Sequence, residues 1–417
     1  MTFDQLSSRA QTVYKVLQDF VDNECIPALS IFEQQLGTGA ARFQSVPPIM
    51  ERLKARAKQL GLWNLFLGPE FGDLGAGLTN FEYGHMAELM GRCIRLAPEA
   101  CNCSAPDTGN IEVLAKYGTP SQKERWLTPL LAGEIRSAFA MTEPAVASSD
   151  ATNISTSISR QGNSWVVNGR KWWITGAGDP RCKLFLVMGK SNPGSSNVHL
   201  QQSIVLVPAD TPGVQVVRPL QVFGYDDAPA GHCEVVFKDV KVPLDNIILG
   251  EGRGFEVMQG RLGPGRIHHC MRAIGMAERA MELTLARITS REAFGRKLAE
   301  NAVVMHQIGN CRMDVEQARL LVLHAADKMD RVDPKAAQRE IAIAKIRVPN
   351  LVLQVLDHCI QMHGAAGLGV DLPLAEMYAG ARCLRIADGP DDAHLSQLGR
   401  NEIQKYLKKH KSQSSKL

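Results

Sequence analysis

A chain of 417 residues with 45% hydrophobic and 22% charged side chains exceeds one ordinary domain and has the composition of a soluble globular protein. Its formal net charge of +4 is small for this length, so neither nucleic acid nor an anionic membrane surface is an expected partner. No run of about 18 apolar residues occurs, and no membrane span is expected.

Residues 1–138 read as helical. Val13, Leu17, Phe20 and Val21 follow one another by steps of four, three and one, which places them on one helical face. The stretch "GPEFGDLGAGL" interrupts with four glycines and a proline and reads as a loop. Over 139–247 the texture becomes β. In "NSWVVNGRKWWIT" two β-rich runs flank Asn168-Gly169, a hairpin signal. "KLFLVMG", "SIVLVPA", "VQVVRPL" and "CEVVFKDVKV" follow without intervening helices, so an antiparallel β-domain is expected, not a βαβ array. Over 248–408 the helical period returns. Ile267, Met271 and Ile274 lead to Met281, Leu285 and Ile288, and Val315, Ala318, Val322, Ala325 and Met329 repeat the stripe. Pro349 is expected to kink or end a helix. Residues 409–417 form a basic tail. The order helices, β-domain, helices places the chain in the α+β class.

Ten cysteines are scattered without CxxC spacing, as expected for buried free thiols in a reducing compartment. Cys101-Asn102-Cys103 and His268-His269-Cys270 lack a second cluster at zinc spacing, so no metal is expected. The opening Met1-Thr2-Phe3-Asp4-Gln5 lacks the Arg-rich pattern of a mitochondrial transit peptide. The chain closes on Ser415-Lys416-Leu417 after the polar run "KKHKSQS". This is the form of a peroxisomal address read by an import receptor, with a frayed basic tail as the alternative.

Four stretches bear on chemistry. "GEGRGFE" has closely spaced glycines but no strand–turn–helix unit around it, and reads as a linker turn. "HGAAG", residues 363–367, offers backbone without bulky side chains, suited to a helix C-cap or to close approach of a pyrophosphate. "FAMTEPAVASSD", residues 139–150, carries Thr142, Ser148 and Ser149, donors for an anionic polar ligand or members of an ordinary interdomain turn. "RKWWIT" sets Trp172 and Trp173 beside Thr175. Alternation along a strand sends the two rings to opposite faces, leaving one to pack and one to cover a flat ring system.

The ordered set "TEPxxxxSD", "NGRKWWIT", "REAFGR", "MHQIG", "IQMHGAAG" and a late acid before glycine resembles the acyl-CoA dehydrogenase family over nearly the whole chain. The wording is most similar to the branch that in animals is fused to a kinase-like domain. The resemblance implies an N-terminal helical domain, a middle β-domain and a C-terminal four-helix bundle holding FAD. It implies that Phe139, Met141, Thr142, Trp173, Ile174 and Thr175 contact the flavin, with Thr142 on the pyrimidine edge and Thr175 at the reactive nitrogen. Of Ser148 and Ser149, one would contact the pyrophosphate and the other the substrate side. Arg291, Phe294, Gln307, Gln361, Gly364, Ala365 and Gly367 would grip the FAD of a neighbouring subunit, which implies a homodimer or homotetramer.

The late acid is Asp388, before Gly389, where the family carries a catalytic glutamate. It would take the α-proton of an acyl-CoA while the β-hydrogen leaves as hydride, giving a trans-2-enoyl-CoA. Gly389 and Arg266 would bind substrate. The sequence departs from the family in two ways: aspartate is one methylene shorter than glutamate, and Pro390 has no amide to donate. Asp391 and Asp392 are nearby alternative acids, and Arg266 also suits a helix-surface salt bridge. Of His268 and His269, one is expected in the core and the other exposed, unless they enter the acyl pocket. Electrons would pass to an electron-transferring flavoprotein or, in a peroxisomal acyl-CoA oxidase, to oxygen. A non-catalytic, DNA-associated flavoprotein is the alternative from another functional class.

Overall fold

The computed structural model describes residues 3–332 and 335–414; the Ser415-Lys416-Leu417 address lies outside the described residues. The chain divides into two compact units, residues 2–265 and 266–417.

The first unit opens with helices. The Ser7 hydroxyl caps Ser8–Phe20 by accepting from the Ala10 amide, and the run continues through a π turn, Val21–Cys25, into Ile26–Leu36. Leu17, Phe20 and Val21 are fully buried, as their spacing requires. A reciprocal capping box between Thr79 and Glu82 starts the helix Asn80–Gly91. Residues 139–247 contribute most of a seven-stranded sheet: β1 (Arg136–Ala140), β2 (Ser157–Gln161), β3 (Ser164–Thr175), β4 (Cys182–Lys190), β5 (Gln202–Pro208), β6 (Val214–Leu220) and β7 (His232–Pro243). The order is β1-β4-β2-β3-β7-β6, with β5 also on β4. Its core is apolar, with Phe185 and Phe237 meeting edge to face at 5.8 Å between Val167, Val187, Val207 and Val235. The helix Asp107–Tyr117 is tied to the sheet by a buried carboxylate. Asp107 accepts from the Ser137 amide at 2.7 Å, the Ser137 hydroxyl at 2.6 Å and Arg136 Nε at 2.5 Å.

Two expectations change here. The sheet is not wholly antiparallel, because β1 runs parallel to β4 over its length. Asn168-Gly169 is not a hairpin turn either. β3 runs straight through it, and the β2–β3 turn lies at Gly162, with Gln161 opposite Ser164. Asn168 instead sits at a register shift against β7, exchanging side-chain bonds with the Asp239 amide (2.7 Å) and carboxylate (3.1 Å). Gly169 is required by proximity: a Cβ there would lie 2.2 Å from the Thr156 hydroxyl.

The helix Gly254–Ser290 carries the chain into the second unit, followed by the β8–β9 hairpin (Glu292–Ala293, Arg296–Lys297). The helices Ala302–Arg331, Gln338–His363, Leu374–Cys383 and Asp391–Ser414 complete it. Ile267, Met271, Ile274, Met281, Ile288, Val315, Ala318, Val322, Ala325 and Met329 are buried, whereas Leu285 is 40% exposed and leaves its stripe. Pro349 does not end its helix. It is buried within Gln338–His363, and Asn350 Nδ2 donates to the Ile346 carbonyl at 2.7 Å, meeting a carbonyl beside the proline ring. Within the basic tail, residues 409–414 continue the last helix. Among the described residues no helix is long and apolar enough to cross a membrane.

Replacing Gly169 by alanine should therefore destabilise the first unit by about 1–3 kcal/mol through overpacking against Thr156. Thermal unfolding of the purified protein checks this. An unchanged midpoint would show that the strand absorbs the methyl group.

Candidate active site

In the first unit the residues implied for flavin contact are held by one buried ion pair. Lys171 on β3 is fully buried, and its ammonium donates to the Met141 carbonyl at 2.8 Å, the Met188 carbonyl at 2.7 Å and Glu143 Oε1 at 2.8 Å. Glu143, 2% exposed, also accepts from the Ser155 amide (2.8 Å), the Ser155 hydroxyl (2.5 Å) and the Thr156 amide (2.9 Å). Burial pushes the Glu143 carboxyl up, but Lys171 and these donors outweigh it and hold it at about 2. Burial draws the Lys171 ammonium down to about 8, against the pull of Glu143.

This pair closes the loop after β1 at both ends. Ser148 is committed to the loop, accepting from the Glu143 amide at 2.9 Å, whereas Ser149 is exposed. Thr142 is half-buried and its carbonyl accepts from the Trp172 amide at 3.0 Å. Across from it Trp172 and Trp173 of β3 together face Glu234 of β7, a bulge that sets Trp173 at φ 54°. Strand alternation therefore fails here. The two indoles meet edge to face at 6.4 Å, with Trp172 half-buried and Trp173 40% exposed. The side chain of Ile174 is buried, so only its backbone is available to a ligand. Thr175 Oγ1 lies 2.9 Å from His232 Nδ1, and His232 Nε2 lies 3.6 Å from Asp227. Phe139, half-buried, carries the Arg261 guanidinium over its ring at 4.3 Å.

The second unit holds the acid. Asp388 has φ 55°, a left-handed conformation that aspartate tolerates better than most side chains, and Gly389 follows at φ 101°. A Cβ at Gly389 would lie 2.7 Å from His394 Nε2, so this position admits glycine alone. Cations grip the backbone of the turn. Arg266 Nε donates to the Asp388 carbonyl at 2.9 Å, and buried Lys345 donates to the Leu384 carbonyl and, at 3.4 Å, to that of Gly389. His394 Nε2 lies 3.3 Å from the Asp388 carbonyl. Burial lowers the affinity of Arg266, Lys345 and His394 for their protons, with Asp388 opposing the shift in each case. The Asp388 carboxylate, 20% exposed, has His269 Nε2 at 3.7 Å.

The alternative acids are thereby separated. Asp391 is buried, accepting from Arg385 Nε at 2.7 Å and Asn350 Nδ2 at 3.1 Å, while Asp392 lies exposed. Arg266 is committed to the Asp388 backbone. His268 is the core histidine at 2% exposure, and burial holds its ring well below the usual range; His269 is half-exposed. Arg291 and Phe294 are exposed beside the β8–β9 hairpin, and Gln307 is half-buried on the next helix. Gln361, Gly364 and Ala365 are exposed at the end of Gln338–His363, whereas Gly367 is buried.

Sequence reasoning passed over Lys171, Glu143, Lys345 and His232 as functional residues. Two of them carried a signal. Lys345 stands in the buried stripe between Ile341 and Val348, and Lys171 interrupts a strand of apolar and aromatic residues.

Over residues 7–134, 138–240 and 252–403 the chain matches the N-terminal, middle and C-terminal domains of acyl-CoA dehydrogenases. It is 51% identical over 407 residues to Gallus gallus acyl-CoA dehydrogenase family member 11, covering 97% of this chain and 52% of that protein. It is 50% identical over 398 residues to the Mycobacterium tuberculosis protein assigned as acyl-CoA dehydrogenase FadE2, covering 95% and 96% respectively. The chain thus spans about half the length of the first of these relatives, and 37% of Mus musculus family member 10. A Mycobacterium abscessus structure assigned as an acyl-CoA dehydrogenase superposes with a TM-score of 0.91 at 47% identity, covering 96% of this chain and 99% of that one. Butyryl-CoA dehydrogenase from Megasphaera elsdenii, at 24% identity and a TM-score of 0.80, shares the fold.

Removing one partner of the buried pair, as in Lys171→Met, should cost about 3–5 kcal/mol and weaken flavin retention. The double variant with Glu143→Gln should recover part of that loss. Because Glu143 falls from an ordinary value near 4.5 to about 2, its contribution is present above pH 4.5 and is lost as pH falls toward 2. Urea denaturation across that window, read by flavin release, checks both statements.

Proposed function

The chain belongs to the acyl-CoA dehydrogenase family, and from that premise we propose that it is an FAD-dependent enzyme that converts an acyl-CoA thioester to its trans-2-enoyl-CoA. The observation that carries the reading is Asp388: a partly exposed carboxylate on a left-handed turn whose backbone accepts from Arg266 and Lys345. Backbone strain of this kind persists only where its surroundings impose it, and it concentrates at functional sites.

The residues present fit FAD. A flavin needs a flat wall, donors at its polar edge and a cradle for its phosphates. The exposed face of Trp173 with the hydroxyls of Thr142 and Thr175 suits the ring, and the exposed Ser149 hydroxyl suits a charged ligand. Exposed Arg291 and Phe294, and the turn at Gly364 with nothing within 4 Å of a Cβ there, suit the adenosine diphosphate half. The chemistry that FAD supplies when bound is acceptance of the β-hydrogen as hydride. Asp388 removes the α-proton. The Gly389 amide, in the position of the family's donor, offers the thioester oxygen a hydrogen bond as negative charge builds there. Arg266 and Lys345 keep the base turn in place during that transfer.

The adenosine-side residues serve a neighbouring copy, so the enzyme works as a homodimer or a larger assembly. Phe294, Val303 and Met305, all strongly exposed on the hairpin and the helix after it, support this reading. The electrons leave to an electron-transferring flavoprotein or to oxygen.

Anaerobic titration of the purified holoprotein with a panel of acyl-CoAs, following flavin absorbance, tests the proposal. One chain class should bleach the flavin, and Asp388→Asn should slow bleaching by roughly 10²–10⁴-fold while retaining FAD. Admitting air then separates oxygen from a protein acceptor. A flavin-bearing Asp388→Asn protein reduced at the native rate would overturn the assignment of the base.

A further inference from the structure

The base has a neighbour whose protonation is dictated by a third residue. His269 and Arg272 lie one helical turn apart on Gly254–Ser290. Arg272 Nη2 stands 3.3 Å from His269 Nδ1. A guanidinium is always protonated and has only donors, so Nδ1 must be the acceptor in that contact. A neutral imidazole accepting at Nδ1 carries its proton on Nε2. That nitrogen is the one 3.7 Å from Asp388 Oδ2. The separation is longer than a hydrogen bond, the looseness common in ligand-free sites that tighten around substrate.

A second proton would have to enter at Nδ1, against the guanidinium of Arg272. Other titratable groups surround the pair. Arg266, buried His268 and Cys270 share the helix, Lys345 approaches from Gln338–His363, and Asp388, Asp391 and His394 belong to the segment after Cys383. The cations in that group favour the neutral ring and the carboxylates the charged one, so the contact of Nδ1 with Arg272 is what sets the proton on Nε2.

We propose, resting on the reading of Asp388 as the base, that His269 is its positioning residue. As a neutral imidazole with the proton on Nε2, it directs one N–H at the carboxylate, fixes its rotamer and favours its ionised form. It does not carry the abstracted proton onward, because Nε2 already holds a proton and Nδ1 is occupied by Arg272. This compensates for a specific weakness of the site: the short arm of aspartate leaves little tolerance for a carboxylate turned away from the α-carbon.

The readout is exchange of α-hydrogens with deuterated water in a CoA thioester whose β-carbon is replaced by sulfur, followed by mass spectrometry on the holoenzyme. This substrate ionises at Cα but has no β-hydrogen to transfer, so exchange reports the base apart from turnover. A donor to the charged form favours that form. His269→Leu should therefore move the pH midpoint of exchange upward by about one unit, and slow exchange on the acid limb roughly tenfold. His269→Gln, which keeps an N–H, should restore most of the rate. Nitrogen NMR of the unmodified holoenzyme labelled at histidine should show His269 neutral and protonated at Nε2 from about pH 6 to pH 9, a range that brackets the ordinary histidine value.

An unmoved midpoint in His269→Leu, or an Nδ1–H or doubly protonated ring in the spectrum, overturns the inference. Asp388→Asn keeps the two readings apart. If it abolishes exchange while His269→Leu changes nothing, only the role of His269 fails. If it leaves exchange intact, the base assignment fails. Should the leucine variant not fold, the spectrum of the native protein still decides.

Discussion

The ion pair between Lys171 and Glu143 is the constraint on which the first unit's ligand-facing surface depends. One ammonium, sealed in the sheet, gathers the carbonyls that follow β1 and end β4 together with a carboxylate that in turn holds the amides of Ser155 and Thr156. The loop bearing Ser148 and Ser149 is thereby pinned at its start and its finish, and Thr142 is fixed against the Trp172 amide. Two buried charges cost free energy that well-packed apolar side chains would not. What they provide instead is direction: a hydrophobic substitute could fill the space but could not dictate which carbonyls and amides meet there.

The second unit follows the opposite plan. Its charges are gathered around the turn that carries Asp388. Arg266 and Lys345 spend their donors on carbonyls of the turn. Their positive charge also acts on the nearby Asp388 carboxylate through the field. Asp391, three residues on, shows the contrast. Its carboxylate is bonded to Arg385 and Asn350 and serves to anchor the last helix.

The fold was largely legible in the sequence because hydrophobic spacing reports burial directly, and the apolar stripes of Gly254–Ser290 and Ala302–Arg331 are buried with the exception of Leu285. Local rules failed where distant neighbours decided. Asn168-Gly169 has the residues of a turn, yet the side chain of Thr156 and the bonds to Asp239 make it part of a continuous strand. Alternation predicted opposed tryptophans, and a bulge against Glu234 brought them together. Pro349 reads as a break, but it is buried within an unbroken helix whose nearby Ile346 carbonyl is met by Asn350. Of the candidate site, the acid and the motif implied for flavin contact were readable as a family pattern. The network behind them was not, because Lys345, His269 and Arg272 come near Asp388 only through packing of helices remote in sequence.

The left-handed turn at Asp388 also determines how the protein tolerates error. The side chains most at ease at that φ are glycine, asparagine and aspartate. Two of these three fit the backbone as well as the native residue and cannot accept a proton, and a glutamate would meet more resistance from the main chain than either. Folding thus offers no protection at this position. A change to either would leave the backbone of this turn at ease, so a test of foldedness alone would not detect it. On the proposed reading of Asp388 as the base, it is the demand for chemistry that holds an aspartate at 388.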